Sequence, residues 1–322
     1  MTRVVLACLV VATAALAADN TLRAITYQDA PDCQRHGCGV LSLGSGYLVD
    51  TGDPSSGPPQ KVSLWSPDGR RAYQTEATFP DGVPGNASAA MADTDGTVAL
   101  AISDGGWGGR GFAGRGGILL LDRAGKQLRF IDTGRFISGA LCFAEDHSIW
   151  IGGNLLGARN SEDARDYGLI RHYSREGSLL GEFLPRSSFT LGYALGIYWM
   201  RAARDRIGAM TYPGKPTDTP TWVELDLSGR EIGRWPLRHE DVTRFMHALT
   251  ADGRLFASRW DKNSRDAVLI FDRPASSWKE AGSVTNALLM GAHANELVFW
   301  DRGTNDATGD RLFWIAAPAG HP

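Results

Sequence analysis

Three groups of residues in this chain have types and spacings that could do chemistry, and the first is a glycine loop. The stretch Ser103 to Asp122 reads SDGGWGGRGFAGRGGILLLD and contains G-x-G-x-x-G from Gly109 to Gly114. Glycines at that spacing let backbone amides cradle a pyrophosphate when the loop opens a helix after a strand. Here the loop runs straight into ILLLD, which reads as a strand, so no helix terminus is present to hold a phosphate. The same stretch resembles an RGG segment, but with two repeats only, in a chain of 33 Lys+Arg against 36 Asp+Glu. That balance gives no reason to expect nucleic acid as a partner. No cofactor is expected, and the loop reads as a long link between two strands.

The second group is DCQRHGCG, where Cys33 and Cys38 are separated by four residues and flank His36. A small local disulfide is feasible at that spacing in an oxidising compartment. Free thiols are the alternative. A structural zinc site needs four ligands and finds none adjacent, so no metal is expected there. Cys142, in SGALCFAED, reads as a small buried hydrophobe.

The N-terminal MTRVVLACLVVATAALA agrees with an oxidising destination. One basic residue, an apolar run and Ala15-Leu16-Ala17 make a signal-peptide pattern over residues 1–17, with cleavage after Ala17. The run is short for a membrane span, and Cys8 lies inside it rather than ending it as a lipid-attachment cysteine would. Residues 18–322 are therefore expected to form one exported domain, periplasmic or secreted, monomeric and without a membrane span.

The third group is spread along the chain, and its meaning depends on the elements that carry it. With 39 glycines, ten tryptophans and 43% hydrophobic residues, the composition suits a turn-rich β protein. Segments such as TVALAIS, SIWIGG, RLFASRW and ELVFW alternate over strand lengths. Tight turns between apolar runs recur in SLGSGYLV, MADTDGTVAL, FAEDHSIWI, RAARDRIGAM, LTADGRLFA and GAHANELVF, about every 50 residues. A second series interleaves with the first: LWSPDGRRAY, LLDRAGKQLRF, HYSREGSLLGEF, ELDLSGREIGRW and IFDRPASSWKEA. Two hairpins per period is the signature of a four-stranded propeller blade.

Six periods predict an all-β, six-bladed β-propeller of four-stranded antiparallel blades. After ELVFW only DRLFWIAAP remains, so the sixth blade lacks an outer strand, and TLRAITYQ at Thr21–Gln28 can supply it and close the ring. On these turns and this alternation the chain resembles the superfamily of six-bladed propellers that includes the NHL-repeat and TolB-like groups. That resemblance implies a fold and a ring-shaped binding surface, and it implies no chemistry.

Within such blades the links between second and third strands share a face with the links between blades. The glycine loop falls there, with DTGDPSSGPPQ, GGNLLGARNSEDARDYG, TYPGKPTDTPT, RWDKNSRDA and WDRGTNDATGD. Long loops on a rigid ring are where binding usually resides. The ligand-binding candidates on that face are Trp107, Arg110, Arg115, Arg159, Arg259, Trp260, Asp261, Asp301 and Arg302. Trp and Arg together suit stacking on sugars or aromatics and gripping carboxylates, although exposed arginines are also ordinary loop decoration. Nearer the axis, His36, Asn86, Ser138, Tyr193, Arg244 and Asn286 are expected to ring the channel mouth.

Two functions fit. One is an exported binding or scaffold propeller that holds a ligand or protein partner, such as a glycan or peptide, on the loop-rich face. The other is a propeller hydrolase or lactonase with a divergent site at the channel mouth, the one reading that would bring calcium. The ring offers two asparagines and no assignable inward carboxylate, whereas calcium takes several oxygen ligands. No G-x-S-x-G or H-E-x-x-H is present, and TDGTVAL lacks the serine and terminal tryptophan of a sialidase Asp-box. His247 reads as a core histidine, and His239-Glu240-Asp241 as a polar link. The binding reading is favoured.

Overall fold

The computed structural model describes residues 24–28, 41–44, 46–52, 58–104, 114–155, 166–189, 196–212, 220–237, 247–260, 265–285, 287–301 and 309–318. Strand β1 (Ala24–Gln28) comes first in the chain. Blade one is β2 (Leu41–Gly44), β3 (Tyr47–Asp50), β4 (Lys61–Trp65) and β5 (Arg71–Glu76). Blade two is β6 (Asn86–Ala92), β7 (Val98–Ser103), β8 (Gly116–Leu121) and β9 (Gln127–Gly134). Blade three is β10 (Phe136–Phe143), β11 (Ile149–Leu155), β12 (Gly168–Tyr173) and β13 (Leu179–Pro185). Blade four is β14 (Gly196–Ala202), β15 (Arg206–Tyr212), β16 (Thr221–Asp226) and β17 (Glu231–Pro236). Blade five is β18 (His247–Leu249), β19 (Leu255–Trp260), β20 (Arg265–Asp272) and β21 (Ser277–Thr285). Blade six is β22 (Ala287–His293), β23 (Glu296–Asp301) and β24 (Gly309–Ala316), with β1 paired outside β24. The chain is a six-bladed β-propeller.

Burial follows position in the blade. Every residue of β7 and β8 is buried, because middle strands are covered on both sides by neighbouring blades. Outer strands β9 and β13 are mostly exposed. No helix among the described residues is long and apolar enough to cross a membrane.

Seven hairpin turns share one construction. In each, the N–H of the first residue donates to the carbonyl of the fifth, as Asp122 N does to Lys126 O at 2.9 Å, and a nested bond closes the centre, as Gly125 N does to Asp122 O at 2.9 Å. The residue at the nested donor has positive φ: Gly69, Gly96, Gly125, Gly177, Gly229 and Gly253, with φ between 81° and 92°. Glycine enters this region without the Cβ penalty, which explains the recurring Asp-Gly and Ser-x-x-Gly signals. His147 holds the equivalent place at φ 65°.

A second regularity was not visible in the sequence. Inner strands β6, β10, β14 and β22 each carry a register shift, at Ala87/Ala89, Ser138/Ala140, Ile197/Trp199 and Leu289/Gly291. One extra residue bends the strand and re-aims the side chains that follow it. Met91, Cys142 and Arg201 each stand three residues beyond the extra residue of their strand, and all three face the axial cavity.

Closure is made by β1, antiparallel to β24 from Ala24↔Phe313 to Gln28↔Gly309. The strand also bonds to blade one. The Tyr27 hydroxyl donates to Gly46 O at 2.6 Å, Trp65 Nε1 donates to Gln28 O at 2.8 Å, and Gln28 N donates to Gly69 O at 2.8 Å. A Cβ on Gly69 would fall 2.1 Å from Thr26 O, so only glycine lets this turn rest on β1. Tyr27, Leu48, Trp65, Val298, Leu312 and Trp314 form one buried cluster across the seam.

Candidate functional site

Antiparallel blades divide all the connections between two faces. The β3–β4, β7–β8, β11–β12, β15–β16, β19–β20 and β23–β24 links leave from one face, with the links between blades. The short turns occupy the other. The glycine loop joins β7 to β8, strand to strand, which removes the helix that a dinucleotide site needs. At its base Arg115 N donates to Asp104 Oδ1 at 3.1 Å, and Asp104 N to Arg115 O at 3.1 Å.

On the loop-rich face the described candidates are engaged. Arg115 pairs with Asp81 at 2.7 Å, and its guanidinium lies 4.0 Å from the centre of the Phe79 ring. It thereby ties the base of the glycine loop to the link between blades one and two. Arg259 lies 3.6 Å from Glu280, and Asp301 lies 3.5 Å from Arg311. Trp260 ends β19. Trp107, Arg110, Arg159, Asp261 and Arg302 lie outside the described residues, as do Cys33 and Cys38.

At the channel mouth on the same face, Asn86 opens β6 opposite Ser103, and Ser138 is the third residue of β10. Ser138 Oγ donates to Ala140 O at 2.7 Å and Gly152 O at 3.2 Å, while Ser88 Oγ on blade two donates to Ser138 O. Asn86 is buried, and its Nδ2 has no hydrogen-bond partner among the described residues. His36, Tyr193, Arg244 and Asn286 lie outside the described residues.

The opposite face holds a feature that sequence reasoning missed. The ends of five inner strands converge on an axial cavity of about 370 Å³. Its wall is mainly small or apolar, including Met91, Ala92, Cys142, Leu249 and Met290, and Arg201 is set into it from β14. The Arg201 guanidinium lies 4.3 Å from the Trp199 ring centre, and its Nη1 donates to Met200 O at 2.9 Å. Among the described residues no carboxylate is within ion-pair distance of it. Burial lowers its pKa to about 10, against a small opposing effect of the Cys142 thiol. Burial also pushes Cys142 up to about 12. His247, at the start of β18, is pushed down to about 3 by burial and by Arg201. It is a buried core residue lying among Trp222 and Trp278. Among the described residues no three His, Cys, Asp or Glu side chains gather to hold a metal ion.

Around the cavity the turn face is latched by ion pairs between blades. Asp93 of blade two meets His147 Nδ1 at 2.7 Å and Arg175 at 3.5 Å, both of blade three. Arg175 also reaches Asp95 at 2.5 Å and Thr97 Oγ1 at 2.7 Å. Glu224 of blade four is fully buried and accepts from Trp222 Nε1 at 2.9 Å, Arg206 Nη1 at 3.0 Å and blade five's Arg273 Nη2 at 2.5 Å.

Comparison with known proteins supports the fold and stops there. No protein-family model matches the chain, and no curated protein sequence is similar to it. Among solved structures it is similar to Kuenenia stuttgartiensis hydrazine synthase, with a TM-score of 0.51 and 12% identity. The match covers 88% of this chain and 84% of that one. At that identity the likeness is one of fold.

Proposed function

We propose that this chain is an exported binding propeller that holds a ligand or protein partner on its loop-rich face. The observation that carries the reading is the distribution of chain length between the faces. Turns of two to five residues suffice on one side, as at 294–295 and 93–97. The links on the other side include 104–115 and 156–167. Folding needs no such length, and long links on a rigid scaffold are where recognition usually resides. Trp107 beside Arg110 in the glycine loop, and Trp260 beside Asp261, supply stacking and charge for a glycan or a peptide.

The test is a thermal-shift screen with glycans, peptidoglycan fragments and peptides. A ligand at one hundred times its Kd adds about 2.7 kcal/mol to stability. A hit should stabilise the wild type and lose that effect in Trp107→Ala, in Trp260→Ala, and when 105–113 is cut to a tight turn. Unaltered stabilisation of all three variants would remove the loop-rich face from the reading.

A further inference from the structure

The axial cavity on the turn face is independent of that reading and carries an inference of its own. Arg201 is half-buried in the cavity wall, and a guanidinium even partly withdrawn from water favours an anion or added acceptors beside it. Arg201 has five N–H donors, and among the described residues one protein acceptor, Met200 O, is seen for them. Stacking on Trp199 offsets part of the cost. At the matching positions blades two and three carry Met91 and Cys142, so the architecture does not require a cation there. The charged groups nearer the rim do not neutralise it. Asp93 is held by His147 and Arg175, and Glu145 and Arg204 are exposed.

We infer that the cavity is a binding site for a small carboxylate with an apolar body, and that Arg201 is its anion-recognising residue. The guanidinium fork matches a carboxylate with two parallel hydrogen bonds. Met91, Ala92, Leu249 and Met290 give the rest of the molecule an apolar enclosure. The volume of about 370 Å³ is at the small end of ligand sites, which fits a compact organic acid. An apolar wall with one set charge is also the usual composition of such a site, where the polar group fixes orientation and the wall supplies affinity. Inorganic anions would gain the charge and waste the wall.

The experiment is titration calorimetry with phenylacetate, its neutral amide phenylacetamide, octanoate and inorganic sulfate, with Tm measured in parallel. Phenylacetate or octanoate should bind in the millimolar range or better, and phenylacetate at least about tenfold more tightly than phenylacetamide. Arg201→Met should abolish that preference while Tm stays level or rises, because a half-buried charge with no ionic partner among the described residues has been replaced by an apolar side chain of similar length. Ala292→Phe, which fills the cavity from blade six and leaves Arg201 in place, should also abolish binding; it decides the matter if Arg201→Met does not fold. The inference is overturned if neither carboxylate binds, if the amide binds equally well, or if sulfate binds as tightly as phenylacetate. Undiminished binding to either variant overturns it as well. So does a marked fall in Tm for Arg201→Met, which would make the arginine a structural residue.

Discussion

Tyr27 should be worth more to this fold than its place near the N-terminal end suggests. It is fully buried, it sits on the single strand that joins blade six to blade one, and its hydroxyl donates to Gly46 O at 2.6 Å. Tyr27→Phe removes the hydroxyl and leaves a buried carbonyl short of a partner, at about 1 kcal/mol. Tyr27→Ala also empties the ring's volume between Trp65 and Trp314, which adds about 3–5 kcal/mol for a buried aromatic. Deleting Thr21–Gln28 goes further, because it exposes the edge of β24 and uncovers Leu312 and Trp314. Urea unfolding followed by tryptophan fluorescence should therefore give a graded series: phenylalanine, then alanine, then deletion. Alanine and phenylalanine variants both within about 0.5 kcal/mol of wild type would refute the reasoning, since surface substitutions behave that way and seam residues do not.

Three further outcomes follow from the same contacts. Glu224→Gln should cost about 3–5 kcal/mol in urea unfolding, because Arg206 and Arg273 would lose their shared buried carboxylate. Burial holds the folded pKa of His247 near 3, below its ordinary 6.5, so the unfolded chain takes up the proton first on acidification. Its contribution is intact above pH 6.5 and should fall by about 1.4 kcal/mol per pH unit towards pH 3. His247→Phe should flatten that dependence, measured as unfolding free energy against pH. In exported, leader-processed protein, denaturing alkylation should find one thiol before reduction and three after; three beforehand would remove the Cys33–Cys38 bridge and reopen a metal reading around His36.

The blades and their turns were legible because they rest on local rules. Alternation marks strands, and a positive-φ glycine marks six of the seven shared turns, so Gly96 and Gly253 announce their hairpins from a few residues. The N-terminal strand was legible by counting, since blade six was one strand short. The ionic latches were not. Glu224 reads as an ordinary polar residue in TWVELD, and its partners Arg206 and Arg273 are 18 and 49 residues away in sequence. The cavity was hidden for a related reason. A bulge at Ile197/Trp199 shifts the inward alternation of β14, so WMRA reads as a strand end while Arg201 faces the axis. Asn86 precedes the register shift of its own strand, and Ser138 lies at the shift of β10.

The most direct test of the central claim is a hydrogen-exchange footprint of the protein with whichever partner or glycan the stability screen finds. A partner on the loop-rich face should slow exchange in 51–60, 104–115, 156–167 and 261–264. The turns at 93–97, 144–148 and 250–254 should exchange as in the free protein. Slowed exchange confined to those turns, with the long links unchanged, would contradict the account.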